Sequence, residues 1–134
     1  ALSYSRAISA DVNAGLDPNY GDVYEKGNSA RLGGGIVLTK YTGSRGKRSS
    51  SDAHAEVMAD IRRVFNSAGV VWQTGELGKV DQGGGGTIAH IMASHGMDVL
   101  DCGVALLGMH STFEVASKAD IFMTYKGYKA FLLS

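Results

Sequence analysis

His110 and Asp11 are the two side chains whose types and surroundings are best suited to chemistry. The apolar run at residues 104–109 ends immediately before His110, and a Ser/Thr pair and a long helical pattern follow it. His110 therefore stands at a strand-to-helix junction. In open α/β folds ligands bind beyond the carboxyl ends of strands. A lone histidine is weak evidence for a metal, so the local pattern by itself favours a hydrogen-bonded loop residue. Asp11 stands where the strand pattern of residues 6–12 breaks into a segment holding Gly15, Asp17, Pro18 and Asn19. A carboxylate there can face a ligand or cap a turn, and the surrounding turn chemistry favours the cap.

Other groups read more plainly. Lys40 follows a short apolar run and, taken alone, is a surface lysine. Residues 83–86 are four consecutive glycines that open a helical pattern at Thr87. Bare N–H groups at a helix start attract anions. However, no G-x-x-x-x-G-K-[ST] occurs, and Ile88 breaks the G-x-G-x-x-G spacing. Tight packing of a loop on a helix is an equal reading of that run. His90 and His95 are five apart and do not share a helical face. With His54, they read as surface or packing residues. Cys102 lies in an apolar strand pattern, where a thiol is usually a small buried hydrophobe.

The elements that would position these groups follow from periodicity. Residues 6–12 and 36–41 read as strands. Residues 42–51, rich in Gly, Ser and basic residues, read as a mobile loop. Asp52 is placed to cap a helix carrying Val57, Met58, Ile61, Val64 and Phe65 on one stripe, with Gly69 as its stop. Residues 70–72 are a short strand, 75–86 a loop, 87–95 a helix and 99–107 a near-continuous apolar strand. A last helix is expected over residues 113–132, with Ile121, Tyr125, Tyr128 and Leu132 as its stripe. This alternation predicts an α/β fold, a three-layer α/β/α domain with a largely parallel sheet.

The chain has 134 residues and zero formal net charge. That length suits one domain with a real core. The charge balance argues against an electrostatic grip on nucleic acid, and the cluster Arg45, Lys47 and Arg48 reads as a solvated loop. No apolar run reaches the roughly 20 residues of a membrane helix. One cysteine allows no internal disulfide, which fits a reducing, cytoplasmic setting.

MHSTFEVASKAD and IFMTYKGYKAFL resemble the C-terminal end of the aspartyl aminopeptidase and vacuolar aminopeptidase I family of two-zinc metallopeptidases. ISADVNAGLDPNY, KYTGSRGK and WQTGELGKVDQGGGGTIA extend the resemblance, in order, across nearly the whole chain. It implies a zinc aminopeptidase that removes acidic or neutral N-terminal residues from peptides. Residues 1–134 would be the C-terminal part of its catalytic domain. The matching Asp and His in the family bind different zinc ions, so Asp11 and His110 are the implied metal ligands, with cobalt a possible substitute for zinc. Lys40 matches, across a one-residue gap, a lysine that meets an acidic substrate side chain. Gly84, Gly85 and Met109 are the implied substrate-pocket wall.

The family's His-x-Asp motif, bridging Asp and Glu-Glu pair are not in this sequence. The resemblance therefore implies that the general-base Glu lies upstream and that this chain alone is inactive. It also implies a homo-oligomer, up to a dodecamer, and a missing N-terminal part as partner. Two alternatives stand beside it. One is a non-catalytic assembly or interaction module of the same fold. The other is a phosphate-ligand-binding α/β domain using the glycine run.

Overall fold

The computed structural model describes residues 2–45, 48–79 and 81–134. Its centre is β3 (Ile36–Thr39), buried at all four positions. On one side β3 pairs antiparallel with β7 (Asp98–Gly103), Leu38 opposite Cys102. On the other it pairs in parallel with β6 (Trp72–Thr74). The strand β1 (Arg6–Ser9) adds in parallel outside β7, so the sheet order is β1-β7-β3-β6. Two of its three pairings are parallel, and the antiparallel one is central.

One face of this sheet is the apolar core. Ile36, Leu38, Leu100 and Cys102 pack with Val57, Ile61 and Phe65 of α1 (Ala55–Ser67). Tyr128 and Phe131 of α3 (Lys118–Leu132) close over the same cluster. The stripe read from the α1 sequence is the packed one, and Gly69 past its end has the left-handed φ of +61° that glycine adopts without strain. Asp52 does not cap α1. The cap position is His54, while Asp52 ends β5 (Arg48–Asp52) and pairs with Lys40.

The opposite face meets a smaller sheet. In it β2 (Asn13–Ala14) and β8 (Ala105–Leu107) run parallel, and β9 (Val115–Ala116) is antiparallel to β8. Val37 packs there with Ala30 and Ala105, and Asn13 Nδ2 donates to Thr39 Oγ1 at 2.6 Å. The short α2 (Ala89–Ala93) approaches this side of β7 through Thr87, whose hydroxyl donates to Asp101. Elements thus cover both faces of the central sheet, as the α/β/α expectation requires. No helix among the described residues is long and apolar enough to cross a membrane.

Several expected boundaries shift. The strand expected over 99–107 is two strands, broken at Val104. Gly103 packs so tightly on the chain just beyond β1 that a Cβ would lie 1.9 Å from the Asp11 carbonyl oxygen. Residues 42–44 and 48–51, expected in a loop, are strand: β4 (Tyr41–Ser44) and β5 pair antiparallel as a hairpin, Tyr41 opposite Asp52. Lys47, in the basic cluster, lies outside the described residues. The hairpin is held by long-range backbone bonds that its polar sequence does not announce: Gly43 N–H to Gly85 O at 3.0 Å and Arg45 N–H to Gly83 O at 2.9 Å. The short strand falls at 72–74 rather than 70–72.

The last helix begins at Lys118, not at 113, because Val115 and Ala116 pair with β8 and Ser117 takes the cap, accepting from Asp120 N–H. Of the expected stripe only Tyr128 packs on the core. Asp120, Thr124 and Gly127 are buried, while Ile121 is 50%, Tyr125 59% and Leu132 80% exposed. The close approach explains this. A Cβ on Gly127 would lie 3.1 Å from both Ile36 Cδ1 and Phe65 Cζ. Asp120 accepts the N–H groups of Gly33 and Gly35 at 2.7 and 2.8 Å. Small and hydrogen-bonding residues bring α3 onto β3, which larger apolar residues would hold away.

Candidate functional site

An open groove of about 470 Å³ brings together Gly84, Gly85, Met109 and His110, with Tyr24, Leu77 and Gly78 on its walls. The four residues singled out from sequence meet here from two distant segments: the loop before α2 and the turn after β8. Tyr24, Leu77 and Gly78 were not anticipated. Tyr24 follows the 3₁₀ turn Pro18–Val23, and nothing in its local pattern marks it.

His110 sits in a sharp turn. Ser111 N–H bonds back to Gly108 O, and Gly108 has a φ of +67°. His110 itself has a φ of +67°. A non-glycine residue held there costs of the order of 1–3 kcal/mol, and such outliers concentrate at functional sites. The strain is supported by Glu114, whose Oε1 accepts the His110 backbone N–H at 2.7 Å. The imidazole is exposed at the groove, with no hydrogen bond to its ring among the described residues.

The glycines of residues 83–86 do different work. Gly84 has a φ of +96°, and a Cβ there would lie 2.3 Å from Gly43 O. On Gly86 a Cβ would meet Ser49 Cβ at 2.7 Å. These two let the run lie flat on the hairpin. Gly85 is different: a Cβ would meet only Leu77 Cδ1, at an ordinary 3.8 Å. Hairpin packing explains Gly84 and Gly86, and leaves the bare backbone of Gly85 to the groove. The helix that follows is five residues long, and its Ala89 N–H is already bonded to Thr87 Oγ1. An anion site at the helix start gains little from that geometry.

Asp11 lies just beyond the end of β1, partly exposed, and its Oδ1 accepts the neighbouring Val12 N–H at 2.8 Å. It is not among the groove-lining residues. Lys40 is not among them either. It is ion-paired with Asp52, and both side chains are largely exposed. Beside that pair Glu76 is half-buried. Burial pushes its carboxyl pKa up, the charge of Asp52 adds to the rise and Lys40 opposes it. Glu76 lines a smaller pocket that shares Leu77, Gly78 and Gly84 with the groove.

Asp101, linked to the glycine run through Thr87, is 4% exposed. Its Oδ2 accepts the Thr87 hydroxyl at 2.8 Å. Burial raises its pKa, the nearby Ser9 and Thr87 hydroxyls lower it, the charge of Asp11 raises it and Thr42 lowers it. Ser9 and Thr42 favour the ionised form electrostatically, but neither makes a well-aligned hydrogen bond, and Asp101 Oδ1 is left buried without a partner. In the sequence Asp101 stands inside the apolar strand pattern of residues 99–107, with nothing local to mark it.

The donor types of Asp11 and His110, a carboxylate oxygen and an imidazole nitrogen, suit zinc. Their number does not complete a site. No three His, Cys, Asp or Glu side chains come together as a metal cluster among the described residues.

The family model described as aminopeptidase I zinc metalloprotease matches residues 1–132. The chain is 61% identical over 132 residues to a probable aminopeptidase 1 of Clostridium acetobutylicum, covering 98% of this chain and 28% of that protein. The crystal structure of aminopeptidase I from that organism superposes with a TM-score of 0.91 over 96% of this chain. The Thermotoga maritima aminopeptidase structure is 55% identical, with a TM-score of 0.93 over 98% of this chain and 29% of its own. A probable aspartyl aminopeptidase of Ricinus communis is 30% identical over 132 residues. The chain spans little more than a quarter of the relatives it matches. It belongs to the aminopeptidase I zinc metalloprotease family.

Proposed function

We propose that this chain is the part of a zinc-dependent aminopeptidase that walls the substrate groove and gives one ligand to each of two zinc ions, Asp11 to one and His110 to the other. The observation that carries the reading is the groove itself. It joins the strained His110 turn to the side-chain-free backbone of Gly85. Bound zinc would supply an activated water and polarise the scissile carbonyl. His110, held by Glu114, presents its imidazole to the groove without needing to reorganise. Gly85 lets an extended peptide approach the backbone closely, and Met109 offers an adaptable apolar contact. The general-base Glu belongs to sequence outside this chain, and so do the other metal ligands.

The surroundings of Lys40 bear on the substrate. Its charge is already paired with Asp52, and Glu76 adds a second carboxylate nearby. An acidic substrate side chain would have to displace one and face the other, which favours neutral N-terminal residues over acidic ones. We further propose a homo-oligomer, since Ile121, Phe122, Tyr125 and Leu132 leave an apolar face on α3 that water covers at a cost.

The test is hydrolysis of aminoacyl-nitroanilides by the full-length protein in zinc or cobalt. His110→Ala should lower activity by about 100-fold or more while the protein stays folded, and zinc content should fall with it. The 134-residue chain alone should show no turnover. A full-length protein that hydrolyses peptides equally well without His110 overturns the ligand assignment. One with neither zinc nor activity leaves the non-catalytic module reading.

A further inference from the structure

We propose that Asp101 is a positioning residue for the groove: its buried carboxyl, set beside Ser9 of β1 and Thr42 of the β4–β5 hairpin, holds the end of the glycine run to the central sheet through Thr87. Three hydroxyls from three segments converge on it. Ser9 stands opposite it in register across β1 and β7 and precedes Asp11 by two residues. Thr42 belongs to β4 and precedes Gly43, whose N–H holds Gly85 O. Thr87 follows Gly85 by two residues and donates directly to the carboxyl. All four side chains are buried.

Stability gives no reason for this arrangement. A buried carboxyl with one oxygen unsatisfied costs free energy, and a packed apolar residue at the same place would usually be neutral or better. What the carboxyl supplies is location. Four consecutive glycines have the greatest backbone freedom of any run, so they cannot hold their own shape. Within the run, Gly85 and Gly83 are tied to the hairpin through the N–H groups of Gly43 and Arg45. Just beyond it, Thr87 supplies a tie to the central sheet, its hydroxyl reaching both Asp101 and the Ala89 N–H. Without the Asp101–Thr87 bond the glycine wall would keep its bonds to the hairpin but lose that tie to β7, and its distance from His110 would be less closely fixed. Asp101 acts through these neighbours and touches no substrate.

The kinetic part of this inference rests on the aminopeptidase reading, so the test has a second arm that does not. In the full-length protein, Thr87→Val keeps the volume and removes the donor, Thr87→Ser restores it, and Asp101→Asn keeps the shape of the hub. Thr87→Val should raise KM about tenfold with kcat within about threefold of wild type, the scale of one hydrogen bond to a charged group. Thr87→Ser should return KM close to wild type, and Asp101→Asn should fall between. Amide exchange at Gly43 and Arg45, which reports the hairpin's grip on the glycine run, should quicken about tenfold in Thr87→Val and recover in Thr87→Ser. Unchanged exchange at those two amides in both Thr87→Val and Asp101→Asn would overturn the proposal. So would kcat and KM moving together with a general loss of folded protein. A wild-type protein without aminopeptidase activity would sink the functional reading alone, and the exchange arm would still decide the role of Asp101.

Discussion

The two faces of the central sheet are built by different physics. On one, Ile36, Leu38, Leu100 and Cys102 meet Phe65 and Ile61 in an apolar cluster. On the other, Asn13, Thr39, Thr42, Thr87 and Asp101 bury polar groups, with Asn13 next to Ala14 and Thr87 two residues from Gly85, both on the groove wall. The apolar face contributes stability in proportion to the area it removes from water. The polar face buries four side-chain atoms without hydrogen-bond partners among the described residues: Ser9 Oγ, Asn13 Oδ1, Thr42 Oγ1 and Asp101 Oδ1. A fold selected only for stability would not retain them. The difference separates a layer that holds the domain together from a layer whose buried polar groups the proposed positioning role of Asp101 would explain.

The strongest test of that division is Phe65→Ala. Phe65 is fully buried between α1 and α3, and its truncation should cost about 3–5 kcal/mol in urea unfolding of the full-length protein. KM for any sample that remains folded should hardly change. A shift in KM as large as that from Thr87→Val would break the division between the faces.

Gly85→Ala sharpens it from the other side. Gly85 has no positive φ to strain a side chain, and its Cβ would meet only Leu77 at 3.8 Å. Stability should stay within about 0.5 kcal/mol, as for a surface change. KM should rise about tenfold, as expected where backbone meets ligand. Equal KM values for Gly85→Ala and wild type would show that substrate does not approach this wall.

The smallest effect is in pH. Burial raises the folded-state pKa of Asp101, and that of Glu76, above the unfolded values of about 3.9 and 4.3. The folded state then binds more protons than the unfolded one between those values and the folded pKa. Stability contributed by the two carboxyls is therefore greatest in acid and declines as pH rises through that window. Asp101→Asn should flatten the decline, measured as the slope of unfolding free energy from pH 4 to 7. An unchanged slope would place the polar face in more solvent than its burial indicates.

Much of this protein is legible in local pattern. The α1 stripe, the apolar run of β3, the stop at Gly69, Asp11 beyond a strand end and His110 after another all follow from spacings within one or two turns of chain. The resemblance carried by MHSTFEVASKAD and its companion phrases led to the family, and Gly84, Gly85, Met109 and His110 do share one groove. The rest depended on partners far away in sequence. The hairpin is held from outside by Gly83 and Gly85, which accept its N–H groups. The packed face of α3 is chosen by Asp120 reaching Gly33 and Gly35, and by Gly127 letting Ile36 and Phe65 close in. Asp101 reads as an interruption of an apolar strand until Thr87 is folded onto it. Periodicity records which residues are apolar and how often they recur. It does not record which buried polar group will find which donor, because that pairing is made only when distant segments are brought within hydrogen-bond reach.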